Sequence, residues 1–476
     1  MKKFFTAEDV DLAASKGERF IAVGAEDIVT ARAMERADAL GIRFSLEGTA
    51  AMAPRTDGHP FDSPVRPQTI SQGCAPLSSS RDDRVIDAPY RGLISDQEVD
   101  VWREEFPILK NVIHVANCSQ SAQAKRVRGA IERYLDNWLS VGMDWDAWVN
   151  EVNLAKAEFA KLIGAEASEI CVTSSVSEAV SSIASALDYS GPRKKIVVTD
   201  AEFPTVDHVW LAQQKYGVKV DFVSTDERHE VALSEYERYI DETTLLASIT
   251  QVYYLNGFKQ DIAQIAGIAH RKGTLILVDA YQGLGTEPID VKAMNIDMLT
   301  SGNLKYLFGI PGIAFLYVNK NLVPSLKPAV TGWFGQTNPF LFQTRYLDWA
   351  PEARRLDTGT PPVLNAYAAR AGLEIVNEIG VARIKDRIDM LSAYALRGVL
   401  ARGLVSWSPL DVNKKGGTTA VYVAGKMDSH HMEVELRKRN IIASARGEVI
   451  RVAPHFYTKP QDLDIVLDQI KNILGV

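Results

Sequence analysis

Cysteine is scarce in this chain. Cys74, Cys118 and Cys171 are the only three in 476 residues, an odd number without the paired spacing of a zinc site or a disulfide framework, which points to a reducing compartment. Basic charge is not in excess either: 60 acidic side chains against 53 basic ones leave a net charge of -7. That balance offers no face for a phosphate backbone or an anionic lipid surface, so neither nucleic acid nor membrane is expected as a partner. Long apolar runs are missing, since none approaches the roughly 20 residues that cross a bilayer. The opening MKKFFTAEDVDLAASKGERF has two lysines but no apolar segment behind them, so it does not read as a secretory signal. A cytoplasmic protein is expected. Internal repeats are not legible. What is abundant is core-forming material, with 46% hydrophobic and 24% charged residues, enough for one large core and smaller modules.

Residues 1–46 read as a small separate α/β module. TAEDVDLAASKG begins a helix with a threonine cap and acids in its first turn, ERFIAVG reads as a strand, and DIVTARAMERADALGIRF as a second helix running into another strand. Residues 47–90, rich in Pro, Ser, Gly and Asp without periodicity, have the composition of a flexible linker. Residues 91–345 form the expected large domain with an N-terminal arm. Its helix AKRVRGAIERYLDNWL carries Val127, Ile131, Leu135 and Trp138 at helical spacing, a stripe expected to pack in the core. From Leu154 to about Val318, β-branched runs such as EICVTS, KKIVVTD, TLILVDA and GIAFLYV alternate with helical patterns. That alternation predicts a mainly parallel sheet covered by helices. Residues 346–476 change rhythm and are expected to form a smaller C-terminal α/β domain.

Ligands of such sheets collect beyond the carboxyl ends of the strands, and the chemically informative residues fall there. In VTSSVSEAV, Ser175, Val176 and Ser177 turn a strand into a helix through small side chains. An anion can approach the backbone N–H groups at such a start, with Ser177 as hydroxyl donor, although a serine-rich cap alone would look the same. Phe203, in AEFPTVDH, is placed to lie flat on a planar ring, or else to serve as an ordinary core residue. Asp279 ends the apolar strand LILVD, where a buried carboxylate is costly unless paired. A protonated ring nitrogen would pair it; capping the next helix is the competing use. Lys305, in SGNLKYLFGIPGIAFLYV, can hold an aldehyde as a Schiff base. A phosphate cradle, an acid for a ring nitrogen and an amine for an aldehyde are together what pyridoxal 5′-phosphate (PLP) needs. No metal is expected, because His430 and His431 lack a spaced set of further ligands and read as an exposed helix start.

From about residue 91 to residue 476, these segments resemble in type and order the class V (cysteine desulfurase-like) family of PLP-dependent aminotransferases. The downstream part is closer to the kynureninase and isopenicillin N epimerase-like branches. The resemblance implies the fold type I architecture of PLP-dependent transferases and assigns roles. SSVSEA would bind the cofactor phosphate, Phe203 stack on the ring, Asp279 hold the pyridine nitrogen, Gln282 hydrogen-bond the ring oxygen, and Lys305 form the Schiff base. GWFG at Gly332–Gly335 and GTPPVLNAYAA from Gly359 look like segments that reach a neighbouring subunit's cofactor phosphate. Trp333 and Thr360 would then belong to sites shared across a homodimer. VIRVAPHFYT matches the segment whose arginine, here Arg451, clamps a substrate α-carboxylate, a task suited to a bidentate guanidinium.

Two departures stand out. Leu304 occupies the position before the lysine where many relatives carry histidine or tyrosine, leaving Ser301 and Asn303 as candidate replacements. IIASARGEVIR has no cysteine, which argues against sulfur transfer through a protein persulfide. The resemblance therefore implies an enzyme acting on an amino acid or related amine. Transamination comes first, a kynureninase-like or β-eliminating lyase or an epimerase is the alternative, and a non-catalytic scaffold comes last. The first 46 residues resemble short terminal modules of bacterial microcompartment-associated proteins, which implies a docking partner; a dimer-stabilising role is the alternative.

Overall fold

The computed structural model describes residues 3–24, 28–46, 85–87 and 92–476, so all but a few residues of the expected linker lie outside the described residues. The chain separates into two units, Met1–Gly73 and Cys74–Val476.

The first unit is built twice. Phe4–Phe5, Ala7–Ser15 and Phe20–Val23 make one strand–helix–strand half, and Ile28–Val29, Ala31–Leu40 and Arg43–Leu46 the other. Equivalent strands pair in parallel, Phe4 with Ile28 and Phe20 with Arg43. Thr6 and Thr30 precede the two helices, and Gly17 and Gly41 follow them at φ 74° and 66°, the left-handed conformation that stops a helix without a Cβ clash. This corrects the expectation of no repeat. The halves repeat at an offset of 24, with Thr6/Thr30, Ala7/Ala31, Ala13/Ala37, Gly17/Gly41, Arg19/Arg43 and Phe20/Phe44 identical, a spaced pattern that the strand pairing makes evident. Val10, Ala13, Ile21, Val23, Ala33, Ala37 and Ile42 form its core.

Seven strands form the main sheet of the second unit: β1 (Ile170–Thr173), β2 (Lys195–Thr199), β3 (Lys219–Val223), β4 (Thr244–Thr250), β5 (Leu275–Asp279), β6 (Met298–Gly302) and β7 (Ala314–Val318). They lie in the order β1-β7-β6-β5-β4-β2-β3, with β7 antiparallel to both neighbours and every other pair parallel. Most are buried on both faces and read as apolar runs rather than alternating ones, while the edge strand β3 is only partly buried. Helices α1 (Lys125–Ser140), α2 (Trp145–Ile163), α3 (Val176–Ala186) and α4 (Pro204–Leu211) belong to this layer. Beyond them come α5 (Val363–Ile379), α6 (Val381–Ala401) and a second, antiparallel sheet. Its strands are β8 (Val405–Ser406), β9 (Thr419–Tyr422), β10 (Ser444–Arg446) and β11 (Val449–Val452), in the order β8-β9-β11-β10.

Packing moves the domain boundary from where composition suggested it. Helix α5 packs on α1 and α2, and its Ala366, Ile375 and Ile379 join the core of the main sheet together with Ile384 and Ile388 of α6. Only from Leu391 onward do buried side chains of α6 join a second core with Val421, Ile450 and Val452. The chain thus keeps burying apolar surface on the first sheet well past residue 345, because one long helix pair serves both cores. The stripe on α1 also departs from expectation: Val127 is buried, but Leu135 is 45% and Trp138 60% exposed. The carboxyl-terminal part of that helix leaves the core and presents apolar surface. No helix among the described residues is long and apolar enough to cross a membrane.

Candidate active site

A cavity of about 380 Å³ opens where the carboxyl ends of β1, β2, β4, β5 and β6 meet the start of the antiparallel β7. Its wall includes Ser175, Val176, Ser177, Phe203, Asp279, Gln282 and Lys305. Seven residues singled out in sequence therefore converge on one site, as strand ends in a parallel sheet must.

The Lys305 amine lies 4.1 Å from the centre of the Tyr281 ring and 5.8 Å from that of Phe203. Burial holds it below the ordinary lysine range, at about 8; Asp279 opposes the shift, and the guanidinium groups of Arg451 and Arg446 add to it. Neutral amine is therefore accessible near neutrality, as a nucleophile or a proton acceptor requires. The lysine is carried on a loop fixed from two sides. Ser121 donates its hydroxyl to the Lys305 carbonyl, and the next carbonyl, of Tyr306, contacts Nε2 of His455 at 3.1 Å. Since Nδ1 of that ring accepts from the Phe456 N–H, Nε2 is the donor. Burial holds His455 neutral, at about 3, which suits this single-donor role. Gly302 is needed here: a Cβ at that position would stand 2.1 Å from the Tyr281 ring.

Asp279 is 7% exposed, and its carboxylate accepts from the Tyr281 N–H at 2.9 Å. Burial raises its proton affinity, an effect opposed by that N–H and by Lys305. Gln282 donates from Nε2 to the Cys118 carbonyl at 3.1 Å, while its Oε1 is buried without a partner. Two helix N-termini meet the cavity side by side. Ser175 caps α3 by accepting from the Glu178 N–H, and Ser177 bonds Thr205, in the first turn of α4, at 3.3 Å. Glu178 ties the loop together, accepting from Ser174 and from Thr358. The paired N-termini, with hydroxyls between them, make an anion site of the kind a phosphate occupies.

Ser301 and Asn303 do not line the cavity. The Ser301 hydroxyl is spent on the Gly302 carbonyl, and Asn303 is fully buried with its carboxamide against Gly309. Neither replaces the missing aromatic or imidazole before the lysine. Tyr281, which sequence reasoning passed over, supplies an aromatic face against the amine instead. Trp333 and Thr360 also lie off this cavity. Trp333 packs edge-on to Trp145 at 5.6 Å, and Thr360 is exposed. Arg451, on β11, is 1% exposed. It donates to the Tyr254 carbonyl at 2.8 Å and to the hydroxyls of Ser119 and Ser444 at 2.9 and 2.7 Å, and both Ser119 and Tyr254 belong to the cavity wall. Thr205, Tyr254 and Ser119 were also missed. The only signal for any of them is the Pro204–Thr205 helix start, which marks an N-terminus but not what it faces.

Residues 121–458 match the family model described as aminotransferase class-V. A protein named "Uncharacterized aminotransferase YcbU", from Bacillus subtilis, is 41% identical over 371 residues, 78% of this chain and 96% of its own length. The chain belongs to the class V aminotransferase family. It is also similar to a kynureninase from Geobacillus thermodenitrificans, at 25% identity over 81% of this chain and 93% of the relative. Among solved structures, the apo cysteine desulfurase of Thermococcus onnurineus superposes with a TM-score of 0.72 at 22% identity, covering 79% of this chain and 98% of that one. This last likeness speaks to the fold, a mainly parallel α/β sheet of fold type I. Enzymes of this family work with PLP, and the residues here fit it: a buried acid without a side-chain partner, a shielded amine, an orphaned carboxamide oxygen and a double helix N-terminus around one cavity. The family model begins at residue 121, so the N-terminal unit lies outside it.

Proposed function

We propose that this enzyme is a PLP-dependent aminotransferase acting on an amino acid or a closely related amine. The observation that carries the reading is the Lys305 amine, held at about 8 beside a buried Asp279 in a cavity bounded by two helix N-termini. PLP when bound supplies an aldehyde for the amine and an electron-withdrawing ring. The chain's own residues do the rest. Asp279 holds a proton-bearing ring nitrogen, because a buried carboxylate with one N–H partner gains most from a cationic donor. The N–H groups of the two helix starts, with Ser177 and Thr205, hold the phosphate. Phe203 and Tyr281 bound the ring and keep water from the amine. Lys305, as a neutral amine, would move the α-proton. Arg451 receives the substrate carboxylate, since its present partners are neutral oxygens that an anion outcompetes.

A kynureninase-like lyase is the second reading. It is favoured by the similarity to kynureninases, by the GWFG and GTPP segments, and by the missing loop cysteine; the two described cysteines, Cys118 and Cys171, are buried and line no part of the cavity. A homodimer with shared sites is part of the proposal. Its support is exposed apolar surface: Trp138 and Leu139 at the end of α1 with Met143 beyond it, and Phe340, Phe342, Tyr346 and Leu347 beyond Trp333, more than isolated surface residues would give. For the N-terminal unit the proposed role is docking to a partner or compartment. The holoenzyme, mixed with a panel of amino acids and amines, is to be followed for keto acid, pyridoxamine phosphate and alanine. Keto acid with pyridoxamine phosphate supports transamination; alanine from a kynurenine-like substrate without either supports the lyase instead.

A further inference from the structure

Arg446, whose charge reaches the Lys305 amine, is not used by the proposed function. It ends β10, and β-strand alternation puts it on the same face as Ser444, opposite Ala445, which packs in the second core. Ser444 lies directly across from Arg451 in the sheet and touches its guanidinium at 2.7 Å. The same serine bonds Ser119 of the cavity wall at 2.7 Å. The face that carries Arg446 is therefore continuous with the wall. A hairpin turn at Gly447, φ 52°, follows at once and leaves the side chain exposed.

Arg446 and Arg451 thus lie on one face of the sheet, diagonal to each other in its register. Arg451 lowers the proton affinity of Arg446, which burial of its inner part lowers first. Both charges reach the Lys305 amine. Like charges so arranged are unfavourable unless an anion is meant to arrive. Among the described residues, neither arginine makes an ion pair. Glu433, whose charge reaches Arg446, is already engaged by Arg437 at 3.2 Å and by the Ala445 N–H at 2.9 Å. One α-carboxylate occupies one guanidinium; a second on the same face, without an ion pair of its own, is left for a second anion.

We propose that Arg446 and Arg451 form a paired-cation subsite selecting an amino acid whose side chain ends in a second carboxylate. The inference rests on the reading of Arg451 as the α-carboxylate partner and names the substrate class of that same site: Arg451 takes the carboxylate next to the reacting carbon, and Arg446 the distal one. Charge-assisted hydrogen bonds of this kind separate an acid from its isosteric amide by about tenfold or more.

The test is a titration of the holoenzyme with L-aspartate, L-glutamate, L-asparagine, L-glutamine, L-alanine and ethylamine, reading the visible spectrum of the bound cofactor. One acid is expected to bind at least about tenfold more tightly than its own amide, and Arg446→Gln is expected to bring that ratio close to one by weakening the acid. Arg446→Lys should keep part of the ratio, because it keeps the charge while losing the fork. Succinate or glutarate, which has no amine to react, should raise the Tm of the wild type and not that of Arg446→Gln. Equal binding of acid and amide by the wild type, or a ratio that survives in Arg446→Gln, overturns the proposal. The reading of Arg451 fails on a different comparison, namely ethylamine binding as tightly as L-alanine, so the two cannot be confused.

Discussion

Lys305 and Lys415 are both shielded from water and both hold their protons weakly, at about 8 and about 7, with burial the main cause in each. Their surroundings differ. Lys305 faces a cavity, one carboxylate and two aromatic rings. Lys415 is fully buried and donates to the Gly416 carbonyl and to Thr419 at 3.0 and 3.3 Å. Two carboxylates, Glu287 and Asp389, are the largest opposing influences on Lys415, but they are already paired with Lys259 and Lys385. Three lysines thus share two acids, and the one left over is the one whose proton is easily lost. The comparison teaches that a depressed lysine is not by itself a catalytic one. What separates the two is space for a ligand, an acid that has no basic partner of its own, and an anion site within reach.

Replacing each lysine in turn breaks the comparison most sharply. Lys305→Ala is expected to lower turnover by at least about a thousandfold and to remove the visible absorbance of the bound cofactor, with little change in Tm. Lys415→Met should leave turnover and absorbance intact and alter stability by no more than about 2 kcal/mol, because a volume-conserving swap removes a buried charge together with its desolvation cost. Equal loss of turnover in both variants would erase the distinction. The next largest effect is that of Arg451→Lys: KM for the substrate should rise by the equivalent of about 2 kcal/mol, with cofactor retention unchanged. A fall in Tm without a change in KM would make Arg451 a structural group like Lys415.

A smaller effect lies in pH dependence. Unfolded lysines titrate near 10.5, so between the folded values and 10.5 the unfolded chain holds more protons than the folded one. Raising pH in that window therefore stabilises the folded state. The cofactor-free protein should gain Tm as pH rises from about 7, and Lys415→Met should lose the lower part of that gain while keeping the part that begins at about 8. A flat wild-type profile would contradict both assignments. The smallest effect is expected for the first unit. Removing residues 1–73 should leave cofactor retention and specific activity within about twofold, since that unit has a core of its own. Cofactor loss from a folded truncation would show that it helps to build the site.

Much of the site was legible because each residue follows a strand whose apolar run marks it. Asp279 after LILVD, Phe203 after KKIVVTD and Ser175–Ser177 after EICVT needed only the rule that strand ends carry ligands. Lys305 needed the two upstream segments as company, and by itself Lys415 would have looked no different. Tyr281 escaped because its role depends on Gly302, a neighbour across the sheet that leaves room for the ring. Thr205 escaped because nothing local says that two helix starts lie side by side. The stripe on α1 misled because helical spacing reports that a face is apolar, not what covers it.

The order of residues alone settled the alternation of strand and helix, the class of the sheet and the chemistry of the cofactor set. These are short-range properties, carried by periodicity and by the residue at each strand's end. Folding in three dimensions decided that α5 and part of α6 belong to the first core and that the N-terminal unit is a duplication. Each of these is a contact between segments joined through other elements. A parallel sheet brings such segments together by crossovers whose partners no local pattern names.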